Sequence, residues 1–294
     1  MTPMIRPHRS LLFVPGVNTR AMDKARTLAA DGIIFDLEDS VAPQSKAEAR
    51  AAIGATLTQG GYGRREIAIR LNGLDTPFWA TDIAFAARSG ADAIVVPKIS
   101  GPQDIAAIAN AMKQHGAPAT LQLWAMIESA KGLLHVSEIA AQASPVTPLA
   151  LFILGTNDIA RETRARMIKG RAPMLGWISN CVLAARAHGL AVLDSVYNDI
   201  SDTEGFRAEC EQGRNLGMDG KTVIHPGQIG PANDIYAPPA EDISEAQAIA
   251  TAFASPENAG KGVIALEGRM VERLHLEMAQ RTLAMAKAIE DLGK

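Results

Sequence analysis

The chain has 294 residues, of which 47% are hydrophobic and 21% are charged, and its formal net charge is −3. This composition excludes a chain that is mainly disordered, because such chains are poor in apolar residues and highly charged. The slightly acidic balance, without a long basic block, excludes nucleic acid as the main partner.

The longest unbroken apolar run, residues 149–154, is far shorter than the roughly 20 residues that a membrane-spanning helix needs. The N-terminal segment is basic, but it lacks the long apolar stretch and the cleavage site of a signal peptide. Cys181 and Cys210 form no CxxC pair, and we expect both to be inert packing residues. We therefore expect a cytoplasmic protein that is not associated with membranes and that acts on a small molecule.

Short apolar segments that are typical of buried parallel strands alternate with alanine-rich segments that are typical of helices. The predicted strands cover residues 10–15, 32–37, 66–71, 93–97, 121–127, 149–154, 191–196 and 221–225. The predicted helices between them include residues 20–30, 46–55, 82–88, 105–114 and 178–188. Eight strands that alternate with helices predict an α/β fold, a TIM-type (β/α)8 barrel, with a doubly wound open sheet as the alternative.

The last part of the chain has a different character. We predict a barrel domain over residues 1–236 and a C-terminal helical extension over residues 237–294. Within the extension, a helix over 242–254, a turn-rich segment and a longer helix over 270–292 are predicted, with no further strand. Because two helices make no core of their own, we expect them to pack on the barrel or on a neighbouring subunit.

Acidic residues end, interrupt or follow several predicted strands, at the barrel end where active sites of this fold lie. They are Asp36, Glu38, Asp39, Glu128, Asp158 and Asp194. Carboxylates crowded at one mouth repel each other, and a bound divalent cation relieves that repulsion. Oxygen ligands suit Mg²⁺ or Mn²⁺, and Glu128 and Asp158 are the predicted ligands because each directly follows an apolar strand. The alternative for each carboxylate is a helix cap or a solvated loop residue.

Several basic residues also lie at the predicted strand ends. The guanidinium of Arg70 suits a substrate carboxylate or oxyanion, although it could instead pair with a neighbouring acid. Lys98 is expected to form an ion pair with nearby carboxylates, with a Schiff base as the alternative. The loop over residues 15–20 and the following Lys24 could hold phosphate or be merely solvated. We expect the imidazole of His225 to bond to the backbone.

Several strings along the chain resemble a known family. They are residues 9–16 (RSLLFVPG), 35–43 (FDLEDSVAP), 69–72 (IRLN), 96–98 (VPK), 126–129 (MIES), 155–158 (GTND) and 221–226 (KTVIHP). Together they resemble the citrate lyase β-subunit-like family, which includes malyl-CoA and citramalyl-CoA lyases within the HpcH/HpaI aldolase superfamily. The resemblance runs from about residue 9 to the C-terminal helix.

The resemblance implies a TIM barrel that binds Mg²⁺ through Glu128 and Asp158. It also implies that Arg70 binds the substrate and that Glu38 and Asp39 bind water molecules of the metal. By the same resemblance, two basic residues after the first strand contact the phosphates of coenzyme A. Those residues are Arg20 and Lys24.

The family also carries a C-terminal string of the type G-K-M-I-D, whose aspartate reaches the site of a neighbouring subunit as a proton donor. Here residues 268–272 read GRMVE, so Glu272 takes that position. The glutamate keeps the carboxyl group but extends it by one methylene, which shifts a reacting proton by about an ångström. The resemblance implies a homotrimer or a hexamer.

The function implied by the resemblance is that of a Mg²⁺-dependent carbon–carbon lyase. Its substrate would be a 3-hydroxyacyl-CoA thioester such as malyl-CoA or citramalyl-CoA, and the products an acyl-CoA and a 2-keto acid. Arg70 and the metal would stabilise the thioester enolate, and Glu272 of another chain would exchange its proton. The alternatives are a thioesterase on the same CoA esters, a CoA-independent pyruvate aldolase, or a carrier-dependent subunit of a citrate lyase-like complex.

Overall fold

The computed structural model describes residues 6–293, and its central feature is a closed barrel of parallel strands. The strands are β1 (Ser10–Pro15), β2 (Gly32–Asp36), β3 (Glu66–Arg70), β4 (Ala93–Val96), β5 (Gln122–Ile127), β6 (Leu149–Leu154), β7 (Ala191–Asp194) and β8 (Gly220–Val223). The barrel closes because β1 pairs with β8, with Leu12 opposite Val223. The predicted TIM-type barrel is therefore confirmed, and the open sheet is wrong.

Helices connect successive strands. They are α1 (Thr19–Ala25), α2 (Lys46–Gln59), α3 (Trp79–Ala86), α4 (Pro102–Gln114), α5 (Ala130–Leu134), α6 (Val136–Ala140), α7 (Thr156–Thr163), α8 (Leu175–Ala187), α9 (Thr203–Asn215) and α10 (Ile229–Tyr236). The predicted helix over 20–30 ends early, at Ala25, because the chain turns before it enters β2. No helix within residues 6–293 combines the length and apolar composition needed to cross a bilayer.

The inside of the barrel is filled by apolar side chains that alternate along the strands. They are Leu11, Ile34, Ala68, Ala93, Val95, Trp124, Met126, Leu151, Ile153 and Leu193. Successive side chains of a strand point to opposite faces, so the position two residues after an inward one also faces inward. On four strands that next inward position is polar: Asp36, Arg70, Glu128 and Ser195. The site therefore begins where the apolar filling of the barrel ends.

The C-terminal segment contains two strands that the sequence analysis did not predict. It consists of α11 (Ala240–Ala254), β9 (Val263–Leu266), β10 (Arg269–Glu272) and α12 (Arg273–Leu292). The strands form an antiparallel hairpin whose turn residues, Glu267 and Gly268, both have positive φ, of 50° and 78°. A two-residue turn of this kind matches the twist of a hairpin. The predicted helix over 270–292 was wrong in its first three residues, which belong to β10.

The hairpin and the two helices also share a small apolar core. Its buried members are Ala246, Ile249, Ile264, Val271 and Ala279. The expectation that this segment makes no core of its own was therefore wrong, because the hairpin supplies the apolar partners that two helices alone lack. Residues 8–234 form one compact unit. Residues 235–293 and 6–7 form a second. Packing of the C-terminal segment on a neighbouring subunit stays a prediction.

Candidate active site

Arg70 ends β3 with its guanidinium held on three sides. Its Nε and one terminal nitrogen donate to the two carboxylate oxygens of Asp36, at 2.6 and 2.7 Å. The guanidinium carbon lies 4.8 Å from the centre of the Phe13 ring. The other terminal nitrogen lies 2.9 Å from Oε2 of Glu38. Asp36 therefore occupies one edge of the guanidinium, and the remaining terminal nitrogen is paired with Glu38.

Glu38 joins Arg70 to Lys98. The carboxylate of Glu38 is buried, and Nζ of Lys98 donates to its Oε1 at 2.5 Å. The expected ion pair of Lys98 is thus present. Oε2 of Glu38 is buried and accepts no hydrogen bond from residues 6–293, although it lies close to Arg70. A buried acceptor in this state is suited to a water molecule or another donor at the site.

Two further residues fix the turn that carries Glu38. Nζ of the buried Lys46 donates to the backbone carbonyls of Leu37 and Glu38, at 2.7 and 2.8 Å. The side-chain amide of Asn72 donates to the carbonyl of Leu37 at 3.0 Å and to Asp82 at 2.6 Å. The sequence analysis did not assign Lys46 a role, since an isolated lysine in a helix gives no signal of a buried contact.

Glu128 follows β5 and is buried, with 3% of its surface exposed. Its Oε1 accepts the backbone N–H of Lys98 at 2.9 Å, a contact made possible by the left-handed backbone of Lys98, where φ is 59°. Between residues 6 and 293 Glu128 forms no ion pair within 4.0 Å. Gly155 faces it so closely that an added Cβ would lie 2.5 Å from both Cβ and Oε2 of Glu128.

Asp158 lies in the first turn of α7, directly after β6. Its carboxylate is 25% exposed and forms an ion pair with Arg161 at 2.6 Å. The side chain of Arg161 is itself largely exposed. The alternative in which Asp158 caps a helix beginning at residue 159 is wrong, because α7 begins at Thr156 with Gly155 as its N-cap. Asp158 and Glu128 line the same small cavity.

The charges of the site are not balanced around Glu128. Burial raises the pKa of Glu128 to about 8, and repulsion from Glu38 and Asp158 adds to the effect. Burial also raises the pKa of Glu38, although Arg70 and Lys98 act in the opposite direction. The pKa of Asp36 is instead lowered by Arg70, which outweighs the effect of burial. A positive charge beside Glu128 would therefore stabilise its ionised form.

The donor set fits a magnesium ion better than a metal that needs a complete protein cage. No group of three or more His, Cys, Asp or Glu side chains within the described range 6–293 is arranged to hold a metal. Two carboxylates, Glu128 and Asp158, line one cavity, and Oε2 of Glu38 lacks a hydrogen-bond donor. Mg²⁺ keeps several of its waters and is commonly bound through one or two carboxylates. The residues present therefore fit the predicted ion.

The cavity is also lined by three hydroxyl-bearing residues to which the sequence analysis assigned no role. It has a volume of about 60 Å³ and contains, besides the two carboxylates, the side chains of Thr156, Ser195 and Thr222. Ser195 could have been found from the alternation of β7, because it stands two residues after the inward Leu193.

Other strand-end residues lie away from this cavity. Asp194 is fully buried but points away from the barrel interior, where it pairs with Arg171 at 2.6 Å and Lys221 at 3.0 Å. The expectation that it joins the carboxylates at the mouth was therefore wrong, because it alternates with the inward Leu193. Asp39 is exposed.

The remaining expectations concern a histidine and two cysteines. Nδ1 of His225 accepts the backbone N–H of Gly227 at 3.1 Å, which confirms its bond to the backbone. Cys181 and Cys210 are buried and free, and burial raises the pKa of each thiol to about 12. Their predicted role in packing is confirmed, since a thiol with so high a pKa is unreactive.

Three predicted residues lie on the surface or in the C-terminal segment. Arg20 and Lys24 are exposed, one helical turn apart on α1. Glu272 lies at the junction of β10 and α12, is half-buried, and its backbone N–H donates to Nδ1 of His275 at 3.0 Å.

Comparison with known proteins identifies the family of this chain. A family model described as HpcH/HpaI aldolase/citrate lyase matches residues 9–226. A (3S)-malyl-CoA thioesterase from Cereibacter sphaeroides is 43% identical over 293 residues, covering 100% of this chain and 99% of the relative. An L-malyl-CoA/beta-methylmalyl-CoA lyase, also from Cereibacter sphaeroides, is 33% identical and covers 98% of this chain and 97% of its own length.

A solved structure is similar over nearly the whole chain. It is CitE from Mycobacterium tuberculosis in complex with magnesium, acetoacetate and coenzyme A, with a TM-score of 0.75 and 29% identity. The match covers 96% of this chain and 100% of the CitE chain. The match of the family model and the full-length identity to the relatives confirm the resemblance. The chain therefore belongs to the HpcH/HpaI aldolase/citrate lyase family of enzymes.

Proposed function

We propose that this protein is a magnesium-dependent enzyme that hydrolyses the CoA thioester of a short hydroxy acid, with malyl-CoA as the model substrate. The observation that carries the proposal is the buried Glu128, which lacks an ion-pair partner within residues 6–293 and shares a cavity with Asp158. Hydrolysis is favoured over other reactions by the (3S)-malyl-CoA thioesterases, which are 43% and 45% identical over nearly the whole chain.

Glu128 and Asp158 would hold the magnesium ion, and Mn²⁺ would satisfy the same oxygen ligands. When bound, the ion supplies a Lewis acid that polarises substrate oxygens and orients the acyl group. The Mycobacterium tuberculosis CitE structure with magnesium, acetoacetate and coenzyme A supports this assignment. The backbone N–H of Lys98 donates to Glu128 and so orients this proposed ligand. The side-chain ammonium of Lys98 pairs with Glu38 and neutralises its charge.

Arg70 would bind the oxygen on which negative charge develops. Asp36 fixes its guanidinium with two hydrogen bonds, and the remaining terminal nitrogen still carries hydrogens to donate. A donor fixed before the reaction stabilises the developing charge without reorganising. Oε2 of Glu38 is available to accept a hydrogen bond from water at the same site. In hydrolysis, water would add to the thioester carbonyl, and the C–S bond would break to release the thiol of CoA.

Cleavage of a carbon–carbon bond is the second candidate. It is favoured by the 33% identity to the L-malyl-CoA/beta-methylmalyl-CoA lyase. In that reaction malyl-CoA would lose glyoxylate and leave the enolate of acetyl-CoA, whose charge Arg70 would stabilise. A carboxyl group would then have to return a proton to the enolate carbon.

That proton is assigned to Glu272 of a neighbouring copy of the chain. The proposal is supported by three large apolar side chains around Glu272 that are mostly exposed: Met270 at 68%, Leu274 at 51% and Met278 at 64%. An exposed apolar surface of this kind is typical of an interface. The assembly would be a homotrimer or a hexamer. Arg20 and Lys24 would contact the phosphates of coenzyme A, as two exposed cations on one face of α1.

The test is to incubate the purified protein with malyl-CoA and Mg²⁺ and to identify the products. Hydrolysis gives malate and a free thiol, which a thiol reagent detects, whereas the lyase reaction gives glyoxylate and acetyl-CoA without a free thiol. The Glu128→Gln variant is the control for reaction at this site. Free thiol without glyoxylate is expected.

Other outcomes would overturn the proposal in recognisable ways. Glyoxylate without thiol would replace hydrolysis by the lyase reaction. No reaction with CoA esters, but turnover of pyruvate with an aldehyde, would indicate the CoA-independent aldolase. Turnover that appears only with an acyl carrier protein would indicate a carrier-dependent subunit.

A further inference from the structure

Two hydroxyl groups that follow different strands of the barrel meet in the wall of the candidate site. Thr156 begins α7 after β6, and Ser195 follows β7, so they are 39 residues apart in the chain. Their side-chain oxygens lie 2.6 Å apart, and each residue is 1% exposed. Both line the cavity that contains the carboxylates of Glu128 and Asp158.

One hydroxyl hydrogen of this pair has no acceptor among residues 6–293. Each hydroxyl has one hydrogen to donate and two lone pairs to accept with. When one hydroxyl donates to the other, the hydrogen of the accepting hydroxyl is left over. Among residues 6–293 neither side chain has another hydrogen-bond partner. The nearby Thr222 donates instead to the backbone carbonyl of Asp194 at 3.0 Å. One buried donor is therefore available to whatever occupies the cavity.

A buried network of charges holds this donor in place. The backbone N–H of Ser195 donates to the carboxylate of Asp194 at 2.9 Å. That carboxylate pairs with Arg171 and Lys221, and Lys221 pairs in turn with Glu209 at 2.7 Å. Two cations and two carboxylates thus balance each other outside the cavity. Their contribution to the site is positional, because they fix the end of β7 and with it the hydroxyl of Ser195.

The size of the cavity limits what can accept this hydrogen bond. Its volume of about 60 Å³ is several times the roughly 15 Å³ that admits one water, so a group of three or four heavy atoms fits. A carboxylate has that size and is a strong acceptor. Its negative charge would be offset by the cation proposed at Glu128 and Asp158.

We propose that the Thr156–Ser195 pair donates a hydrogen bond to the terminal carboxylate of the acyl group, and so selects carboxylate-bearing acyl thioesters over those that end in a methyl group. This inference rests on the proposed function and specifies its substrate class. A site built to hydrogen-bond an oxygen discriminates strongly against an analogue without it, because the buried donor is then left unpaired.

The test compares the binding of malyl-CoA and 3-hydroxybutyryl-CoA by calorimetry in the presence of Mg²⁺. The main variant is the double substitution Thr156→Val and Ser195→Ala, because either hydroxyl alone can still donate. It is expected to weaken malyl-CoA binding roughly 10- to 100-fold, as for a hydrogen bond to a charged group, and not to weaken 3-hydroxybutyryl-CoA binding, because no donor is then left unpaired. The ratio of the two affinities is a readout that a merely structural role would not move.

Two controls accompany this variant. Thr156→Ser keeps the hydroxyl and should keep the preference for malyl-CoA. Thr56→Val removes a buried hydroxyl that contacts Met22 away from the cavity, and should leave both affinities unchanged. The melting temperature of the double variant should stay close to that of the wild type, because removing both partners of a buried pair together is nearly neutral.

The outcomes separate this inference from the function on which it rests. If the double variant binds both thioesters equally more weakly, or binds neither more weakly, the proposed role of the hydroxyl pair is wrong. The proposed function is not affected by either result. A wild-type protein that binds neither thioester overturns the proposed function and the inference together.

Discussion

Arg70 pairs with neighbouring acids, and its proposed role in substrate binding has to be compatible with that pairing. It pairs with neighbouring acids, as one alternative required, and it keeps a terminal nitrogen directed at the mouth where Glu38 lies. Asp36 makes this possible by occupying two nitrogens on one edge of the guanidinium. The ion pair with Asp36 therefore fixes the orientation of the guanidinium.

Replacing Arg70 by Lys tests the importance of that orientation. Lysine keeps the charge but cannot bind Asp36 through two parallel hydrogen bonds, so we expect kcat/KM for malyl-CoA to fall roughly 100-fold. Steady-state kinetics measures the effect. Arg65→Lys is the matched control, since Arg65 donates to the backbone carbonyls of Leu28 and Tyr62. Near-normal kinetics in Arg70→Lys would show that only the charge matters.

Gly155→Ala tests Glu128 as a metal ligand without changing the carboxylate itself. The added Cβ would lie 2.5 Å from Glu128, which must therefore move. We expect Mg²⁺ affinity, measured by calorimetry, to fall roughly tenfold or more. Gly176→Ala is the control, because an added Cβ there meets nothing within 4 Å, and it should stabilise α8 by about 0.5–1 kcal/mol. Unchanged Mg²⁺ binding in Gly155→Ala would contradict the assignment.

At the scale of elements, the ends of the strands divide the polar residues between two faces. On β7, Leu193 and Ser195 face the barrel interior while Asp194 faces outward. The outward face is stabilised by a buried charge network, and the inward face carries the proposed chemistry. The same alternation sends Asp36 and Glu128 inward on β2 and β5.

Lys221→Met is expected to weaken the outward network. Lys221 is fully buried and pairs with Asp194 and Glu209, so its loss leaves carboxylates with fewer partners in a dry environment. Breaking a buried pair from one side costs about 3–5 kcal/mol, which a shift of the urea unfolding midpoint would report. Lys131→Met, at an exposed position of α5, is the control. An equal effect of the two variants would show that the network contributes little.

At the scale of the whole molecule, the proposed role of Glu128 as a metal ligand would couple metal binding to stability. Its pKa is about 8 in the folded protein against 4.5 ordinarily, so between these values the folded state holds a proton that the unfolded chain has released. Raising the pH through this window therefore favours unfolding of the metal-free protein, and the loss is complete above about pH 8.

Glu128→Gln should remove that loss of stability. In the presence of EDTA we expect the variant to be more stable than the wild type by roughly 1–3 kcal/mol near pH 9, and similar to it near pH 5. Added Mg²⁺ should raise the melting temperature of the wild type near pH 9 but not that of the variant. Melting curves at both pH values check this. A variant that is less stable than the wild type near pH 9 would contradict it.

Subunit mixing tests whether Glu272 acts in a neighbouring copy. For the lyase reaction, Glu272→Gln and Arg70→Ala subunits are each expected to be inactive alone, and a mixed assembly combines one intact barrel with one intact C-terminal segment. Part of the activity should therefore return on mixing. The control is a mixture of Arg70→Ala with Glu128→Gln subunits, whose defects lie in the same barrel site and which should stay inactive. Confirmed subunit exchange without recovery would exclude a shared site.

The eight strands of the barrel, the closed barrel itself and the family could all be predicted from the sequence, whereas β9 and β10 could not. Strand number follows from local runs of apolar residues, and the family from strings such as 35–43 and 155–158. Glu128 and Asp158 could also be selected, because any residue directly after a parallel strand reaches the same end of the barrel. These inferences need only local composition and the order of elements.

Which polar groups share the cavity depends on how distant segments of the chain pack together. The outward turn of Asp194, the contact of Lys46 with the turn at Glu38, and the meeting of Thr156 with Ser195 depend on side-chain direction and on partners distant in the chain. The C-terminal hairpin likewise depends on β9 and β10 packing their apolar residues against two helices. Local sequence patterns do not specify such contacts, because they form only after distant segments have packed together.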